Sequence, residues 1–431
     1  MSICYVPAAL EMYTQSSCAA YTSPKKNKKE KTEWFAPYRK WYAHHLTGYY
    51  ARVSCKNDFV VDSTEYTKCV PLMGPAFCKL NNIGMVLVNP HSLSTSHLHY
   101  CSHKDAGLDV ICDSGGFQLI RGKVDFIDPL HIAKEYNKVC TIGMDLDVPD
   151  ILGMDKEQWR ALPRIQRANY EVMKTVLHKD VNLCLVGHGK NVAEREEWFE
   201  LVGREDPKCV AVAGLQREFT KDITKEMQQA EAILHACHTF PNAEYFHILG
   251  TTSASTAYIY SLISHLGLAK KIGADSASYA LTSTTGSFDL YHGWNAAKIP
   301  QKFLVNSPIP CSCPICSTIQ DFRMYGCVFQ HVHALLNLYR YFEYIDDLTG
   351  EYLKDNISDR ELVKLINANN LTPAHVRQLR EYVEECKANK FRPLKRKRKL
   401  FSQVSVRNPE LYAQYDRIIK AYEKYHQKGF M

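Results

Sequence analysis

From about residue 80 the chain repeats one pattern, short apolar runs separated by longer stretches of mixed character. The runs are Met85–Val88, Val110–Cys112, Cys140–Met144, Leu183–Val186, Val210–Ala213, Tyr245–Leu249 and Ile272–Ala274. They are largely apolar rather than alternating, which is the pattern of strands covered on both faces. Between several of them lie Lys156–Leu177, Val192–Leu201, Thr220–Cys237 and Thr256–Leu268, with apolar residues at helical spacing and a charged opposite face. Strand–helix alternation over about 200 residues predicts an α/β protein with a parallel sheet. The number of units favours a (β/α)8 TIM-like barrel over an open doubly wound sheet.

The flanks read differently. Residues 1–79 are rich in Tyr, Ser, Thr and Lys without a sustained period, and are expected to form an N-terminal accessory segment. Residues 346–431 are charged, with helical spacing over Asp359–Ile366, Pro373–Cys386 and Pro409–His426, and are expected to form a basic helical C-terminal extension. The barrel is assigned to residues 80–345.

With 431 residues, 45% of them hydrophobic, the chain can bury a full core. Its net charge of +7 is modest, so the distribution matters more than the total. Lys25, Lys26, Lys28, Lys29 and Lys31 cluster ahead of Trp34-Phe35. Lys387, Lys390, Arg392, Lys395, Arg396, Lys397, Arg398 and Lys399 form a second block with no acid among them. Such blocks suit phosphate backbones or other anionic surfaces. Neither a signal-like start nor an apolar run long enough to span a bilayer is present. The expectation is therefore a cytoplasmic protein without a membrane partner, its sixteen Cys reduced and any clustered set reserved for metal.

Residues able to do chemistry fall just past the apolar runs: Asp113, Asp147, His188, Gly214, Gly250 and Asp275. In a barrel these positions share the C-terminal rim, where active sites are built. Asp113-Ser114-Gly115-Gly116-Phe117-Gln118 is the densest of them. A carboxylate, a backbone free to approach closely and a flat aromatic face suit a planar, hydrogen-bonding ligand such as a nucleobase. Further on, Cys311, Cys313 and Cys316 form a C-x-C-x-x-C cluster that can supply three thiolates to a structural Zn²⁺. Cys327, His331 and His333 are candidates for the fourth ligand.

Asp-Ser-Gly-Gly-Phe-Gln at 113–118 resembles the hallmark of the tRNA-guanine transglycosylases. Cys-Ser-Cys-Pro-Ile-Cys at 311–316, followed by a helical His and Asn-Leu-Tyr at 337–339, resembles that family's zinc motif. The resemblance spans roughly residues 80–345. It implies a (β/α)8 barrel carrying a zinc subdomain at about 305–345, and exchange of a guanine in nucleic acid for a 7-deazaguanine base. By that resemblance Asp275 matches the nucleophile and Asp113 the general acid/base. Asp147 matches the carboxylate that reads the guanine-like edge, with Asp145 as a substitute. Ser114, Gly115 and Gly116 line the base. Gly214-Leu215 matches the backbone that binds the base amide, and Phe117 and Leu249 sandwich the ring beside Gly250. The family's His falls at Leu336, so His333, one turn earlier on the same helical face, is preferred over His331.

Departures from the family narrow the substrate. Val186-Gly187-His188-Gly189 stands where the family has Val-Gln-Gly-Gly, so His188 replaces the Gln that reads the base carbonyl. The stretch after Asp275 lacks the family's RNA-contacting Arg. These changes resemble the divergent branch that inserts bases such as 7-cyano-7-deazaguanine (preQ0) into DNA, in bacterial and phage DNA-modification systems with partner proteins. Lys395, Arg396, Lys397 and Arg398 would then grip DNA phosphates. The alternatives are the same reaction on tRNA, and a non-catalytic nucleic-acid-binding paralogue.

Overall fold

The computed structural model describes residues 3–7, 84–88, 104, 107–122, 124–150, 154–215, 223–276, 287–290, 297–300, 327–366, 371–395 and 409–427. Its centre is a sheet of parallel strands: β1 (Ile3–Pro7), β2 (Met85–Val88), β3 (Asp109–Cys112), β4 (Ile142–Met144), β5 (Asn182–Gly187), β6 (Cys209–Val212), β7 (Tyr245–Ile248) and β8 (Ile272–Ser276). Seven parallel pairings join these eight strands in the order β1-β8-β7-β6-β5-β4-β3-β2. The two ends of that order, β1 and β2, lie against each other, so the sheet is nearly closed into a barrel. A separate antiparallel pair, β9 (Ser287–Leu290) and β10 (Ala297–Pro300), follows.

Around the sheet run α1 (Gly116–Ile120), α2 (Pro129–Val139), α3 (Lys156–Lys174), α4 (Val192–Val202), α5 (Lys225–Thr239) and α6 (Ala254–His265). The C-terminal part adds α7 (Cys327–Leu353), α8 (Asp359–Ile366), α9 (Pro373–Asn389) and α10 (Pro409–Gln427). Local chemistry starts these helices where the sequence supplies a cap. Asp128, Asp155, Asn191, Thr224, Ser253 and Thr372 each accept from a backbone N–H of the first turn.

The strands are covered on both faces, as their composition predicts. Met85, Leu87, Ile111, Ile142, Met144, Cys184, Val186, Cys209, Ala211 and Tyr245 form one apolar cluster, the barrel interior. Val86, Val110, Leu185, Val210, Phe246 and Ile272, at intervening positions, belong to a second cluster shared with the surrounding helices. At roughly 1.5–3 kcal/mol for each fully buried aliphatic side chain, these two layers dominate the stabilisation.

Three expectations are corrected. The stretch read as an accessory segment contains a barrel strand: Ile3–Pro7 pairs with β8 so that Val6 lies opposite Asp275. Five isolated residues before a long aperiodic stretch carry no repeating pattern to read. The boundary at 345/346 falls inside the continuous helix α7. The C-terminal helices are fastened to the barrel rather than appended to it: Tyr258 on α6 donates to the Val376 carbonyl, and Tyr415 on α10 to the Pro149 carbonyl. Finally, Cys112 and Cys140 are joined as a disulfide where reduced thiols were expected. The end of β3 and the C-cap of α2 bring their Cα atoms to 5.9 Å, inside bridging range.

Three strand glycines leave room for aromatic rings. At Gly143 an added Cβ would lie 2.2 Å from the Tyr136 ring, which is fully buried and donates to the Met144 carbonyl. Gly143→Ala should therefore destabilise the fold by about 1–3 kcal/mol, read as a lowered midpoint in urea or thermal unfolding. An unchanged midpoint would mean that the ring moves freely aside.

Candidate active site

Parallel strands place all their C-terminal ends at one rim, and alternation along each strand decides which side chains face the interior. Ile111 faces inward, and Asp113 lies two residues on. The same step leads from Val186 to His188, from Tyr245 to His247, and from Gly273 to Asp275. The polar groups of the rim thus extend the apolar interior upward rather than interrupting it.

Asp113 follows β3 directly and is half-buried. Its carboxyl is raised from 3.8 to about 7 by burial first, then by the negative charges of Asp147 and Asp275; backbone N–H groups of Gly115 and Ser114 oppose the rise. This places Asp147 and Asp275 within electrostatic reach of Asp113. A carboxyl near 7 can deliver a proton and take one back at neutral pH.

Asp147 is held on both oxygens. Ser114 Oγ donates to Oδ1 at 2.9 Å, and His188 Nε2 lies 2.7 Å from Oδ2. The backbone makes this approach possible: a Cβ at Gly116 would meet the Asp147 carbonyl at 2.8 Å. Past Asp147, His188 Nδ1 is 3.7 Å from Asp150, and the ring packs 4.7 Å from that of Trp198. Burial alone would depress the imidazole, but the carboxylates of Asp147 and Asp150 outweigh it and lift the group to about 9. His188 is therefore a buried cation at neutral pH, with both ring nitrogens facing carboxylates. That differs from the expected direct reading of a base carbonyl. The ring sits behind Asp147 and orients it.

Asp145 is removed from consideration as a base reader. It is fully buried and pairs with Arg204 Nη1 at 2.9 and 2.8 Å, with Gln166 Nε2 at 3.3 Å. Arg204 in turn stacks 4.2 Å from the Tyr170 ring. Two acids only two residues apart thus have separate partners, Arg204 for Asp145 and the Ser114–His188 pair for Asp147.

Asp275 lies in β8, half-buried, 3.1 Å from His247 Nε2 and accepting from the Gly250 backbone N–H at 3.1 Å. Gly250 has φ 72, a left-handed conformation that aims its N–H at the carboxylate and that glycine adopts without strain. His247 is fully buried, with Nδ1 2.7 Å from the Tyr245 hydroxyl. Neither His247 nor Tyr245 was singled out from the sequence. The signal was there: a His in an otherwise apolar strand, two residues from a rim position on the same face.

Leu249 is partly exposed and packs against the inner cluster. Gly214 is also partly exposed at the rim. Leu215 turns its side chain into the outer core, and its carbonyl accepts from Gln229 Nε2. The side chain of Phe117 and residues 277–283 lie outside the described residues, as do Cys311, Cys313, Cys316 and the side chains of Cys327, His331 and His333. So do the cluster at Lys25–Lys31 and Arg396–Lys399, whereas Lys395 is described and exposed. Among the described residues, no group of three or more His, Cys, Asp or Glu could hold a metal ion, and no helix is long and apolar enough to cross a membrane.

The chain matches no known family model and no curated protein sequence.

The raised Asp113 pKa makes a stability prediction. The folded chain holds this proton more tightly than the unfolded one, so stability declines as pH rises from about 4 through about 7. Asp113→Asn removes the titration. Its melting temperature should therefore rise relative to the parent across that window, with the gap levelling off above pH 8. A gap that is flat with pH would show that Asp113 ionises normally.

Proposed function

We propose that this protein is a guanine transglycosylase that exchanges guanine in DNA for a 7-deazaguanine base such as preQ0. One observation carries the reading: Asp113 and Asp275 stand at the ends of parallel strands within electrostatic reach of each other, and their surroundings divide the labour between them. Asp275 has its Oδ1 fixed by two contacts, whereas Asp113 has a pKa of about 7.

The exchange needs that division. A carboxylate oxygen of Asp275 attacks C1′, the C1′–N9 bond breaks, and its electron pair leaves on guanine N9, which takes the Asp113 proton. The incoming base then gives its N9 proton to Asp113 and attacks C1′, and the bond from C1′ to Asp275 breaks. Two displacements return the sugar to its original configuration and both carboxyls to their starting states. Asp147 is buried with Ser114 on one oxygen and His188 on the other, so to read a guanine-like edge it would have to exchange the Ser114 hydrogen bond for the N–H donors of the base. Leu249 and Phe117 would cover the ring. The target nucleotide must leave the stack to reach these carboxyls.

Two further observations support a polymer substrate and a barrel of the (β/α)8 kind. Phe391 packs 6.1 Å from His238 and 5.3 Å from His235, and the Leu394 backbone donates to Glu231. The segment before the basic run thus climbs α5 from its C-terminal end toward the rim. Lys395 is exposed at the end of that climb, and by their charge Lys395, Arg396, Lys397 and Arg398 would be the residues that meet nucleic-acid phosphates. The near-closed parallel sheet is the frame such a barrel requires. Cys311, Cys313, Cys316 and His333 form a donor set suited to tetrahedral Zn²⁺, which would hold structure and take no part in the exchange.

The test is incubation of purified protein and labelled 7-deazaguanine bases with DNA and, separately, with tRNA. Label should enter DNA. Entry into tRNA alone would replace the substrate, and entry into neither would remove the activity. Asp275→Asn should lose exchange by at least a thousandfold together with any covalent protein–DNA adduct, seen by denaturing gel. Cys313→Ala should lose bound zinc and thermal stability together, measured by metal analysis and melting.

A further inference from the structure

We propose that Tyr245 and His247 form a fixed relay that positions Asp275, presenting one carboxylate oxygen and restraining the other. The inference rests on the reading of Asp275 as the nucleophile and deepens it.

The geometry is a chain of three side chains on two adjacent strands. Tyr245 and His247 occupy successive inward positions of β7; on β8, Gly273 pairs with His247 and Asp275 lies two residues further on. The Tyr245 hydroxyl lies 2.7 Å from His247 Nδ1, and His247 Nε2 lies 3.1 Å from Asp275 Oδ1. Space for the phenol is made by Gly273, where any Cβ would stand 2.1 Å from the Tyr245 oxygen. His247 has no exposed surface, so it cannot meet a nucleotide itself. It is a positioning residue.

Hydrogen-bond direction follows from the two ends. A carboxylate only accepts, so the ring must carry a proton on Nε2 to bond Asp275. The Tyr245 O–H can donate to Nδ1. A phenol donating to Nδ1 holds the ring's proton on Nε2, much as a partner on one ring nitrogen fixes the other. With the Gly250 N–H added, Oδ1 accepts from two donors, and among the described residues Oδ2 accepts from none. The carboxylate is thereby pinned about one oxygen, and the other is the one turned to attack. Orientation of this kind acts on the rate of the chemical step rather than on substrate affinity.

The experiment uses the full chain, a guanine-containing DNA and radiolabelled guanine, so that exchange needs no knowledge of the natural base. Tyr245→Phe removes one oxygen atom, and His247→Phe removes the donor to Asp275. His247→Gln keeps an N–H donor in the same place. We expect adduct formation in single turnover to slow about tenfold in Tyr245→Phe and about a hundredfold in His247→Phe, with recovery of much of that loss in His247→Gln. KM for guanine should stay within about twofold of the parent in all three. Wild-type rates in Tyr245→Phe and His247→Phe would overturn the relay, as would a raised KM at unchanged kcat. Should His247→Phe not fold, Tyr245→Phe and His247→Gln carry the comparison alone. Failure of the parent protein to exchange guanine at all would instead strike the proposed activity, which separates the two ideas.

Discussion

The structure is governed by the cost of gathering carboxylates at one end of a closed sheet. Asp113, Asp147, Asp150 and Asp275 all approach the same rim, where apolar walls weaken screening and like charges repel. Each is accommodated by different means. Asp147 and Asp150 flank the protonated His188. Asp275 accepts from the Gly250 backbone and from His247. Asp113 has the least compensation of charge and responds by retaining a proton up to about pH 7. The acid/base character of Asp113 thus follows from its burial first and from the charges of Asp147 and Asp275 second.

The scaffold explains why these compensations stay in place. Asp147 and Asp150 lie in the stretch after β4, and Asp113 to Ile120 in the stretch after β3. Helix α10 touches both, through Tyr415 to the Pro149 carbonyl and Gln414 to the Leu119 carbonyl. Lower down, the Tyr422 hydroxyl bonds both backbone groups of Ile127, and Tyr425 bonds Asp128 at the N-cap of α2. The last described helix of the chain therefore acts on the site as a brace for two rim loops. A loop carrying a buried charge loses less when its own backbone is tied to something rigid.

Most of the sheet was legible because its strands are buried on both faces, which writes continuous apolar runs into the sequence. Seven of the eight strands follow from those runs, and the rim residues follow from their ends. Ile3–Pro7 escaped because a closing strand far from the others in sequence leaves no periodic neighbour. The carboxylates of the site were readable from position, but their differences were not. Asp145 and Asp147 are equivalent in the sequence, and only the reach of Arg204 on one side and His188 on the other separates them. His247 was hidden for the opposite reason: a strand that is otherwise apolar disguises an inward His as core.

Comparison of the two histidines shows how one residue type serves two ends. His188 lies between two acids, and their combined field outweighs the cost of burying its charge. His247 meets one carboxylate on one side and a phenol on the other. A cation behind Asp147 offsets one negative charge near Asp113 without reaching Asp113 itself. The His247 ring and the Gly250 N–H meet Asp275 on the same oxygen, Oδ1, so their contacts set the direction of that carboxylate. If Asp275 is the nucleophile proposed above, that one-sided hold is what a covalent displacement would use, because it fixes the carboxylate plane while leaving Oδ2 to approach the anomeric carbon.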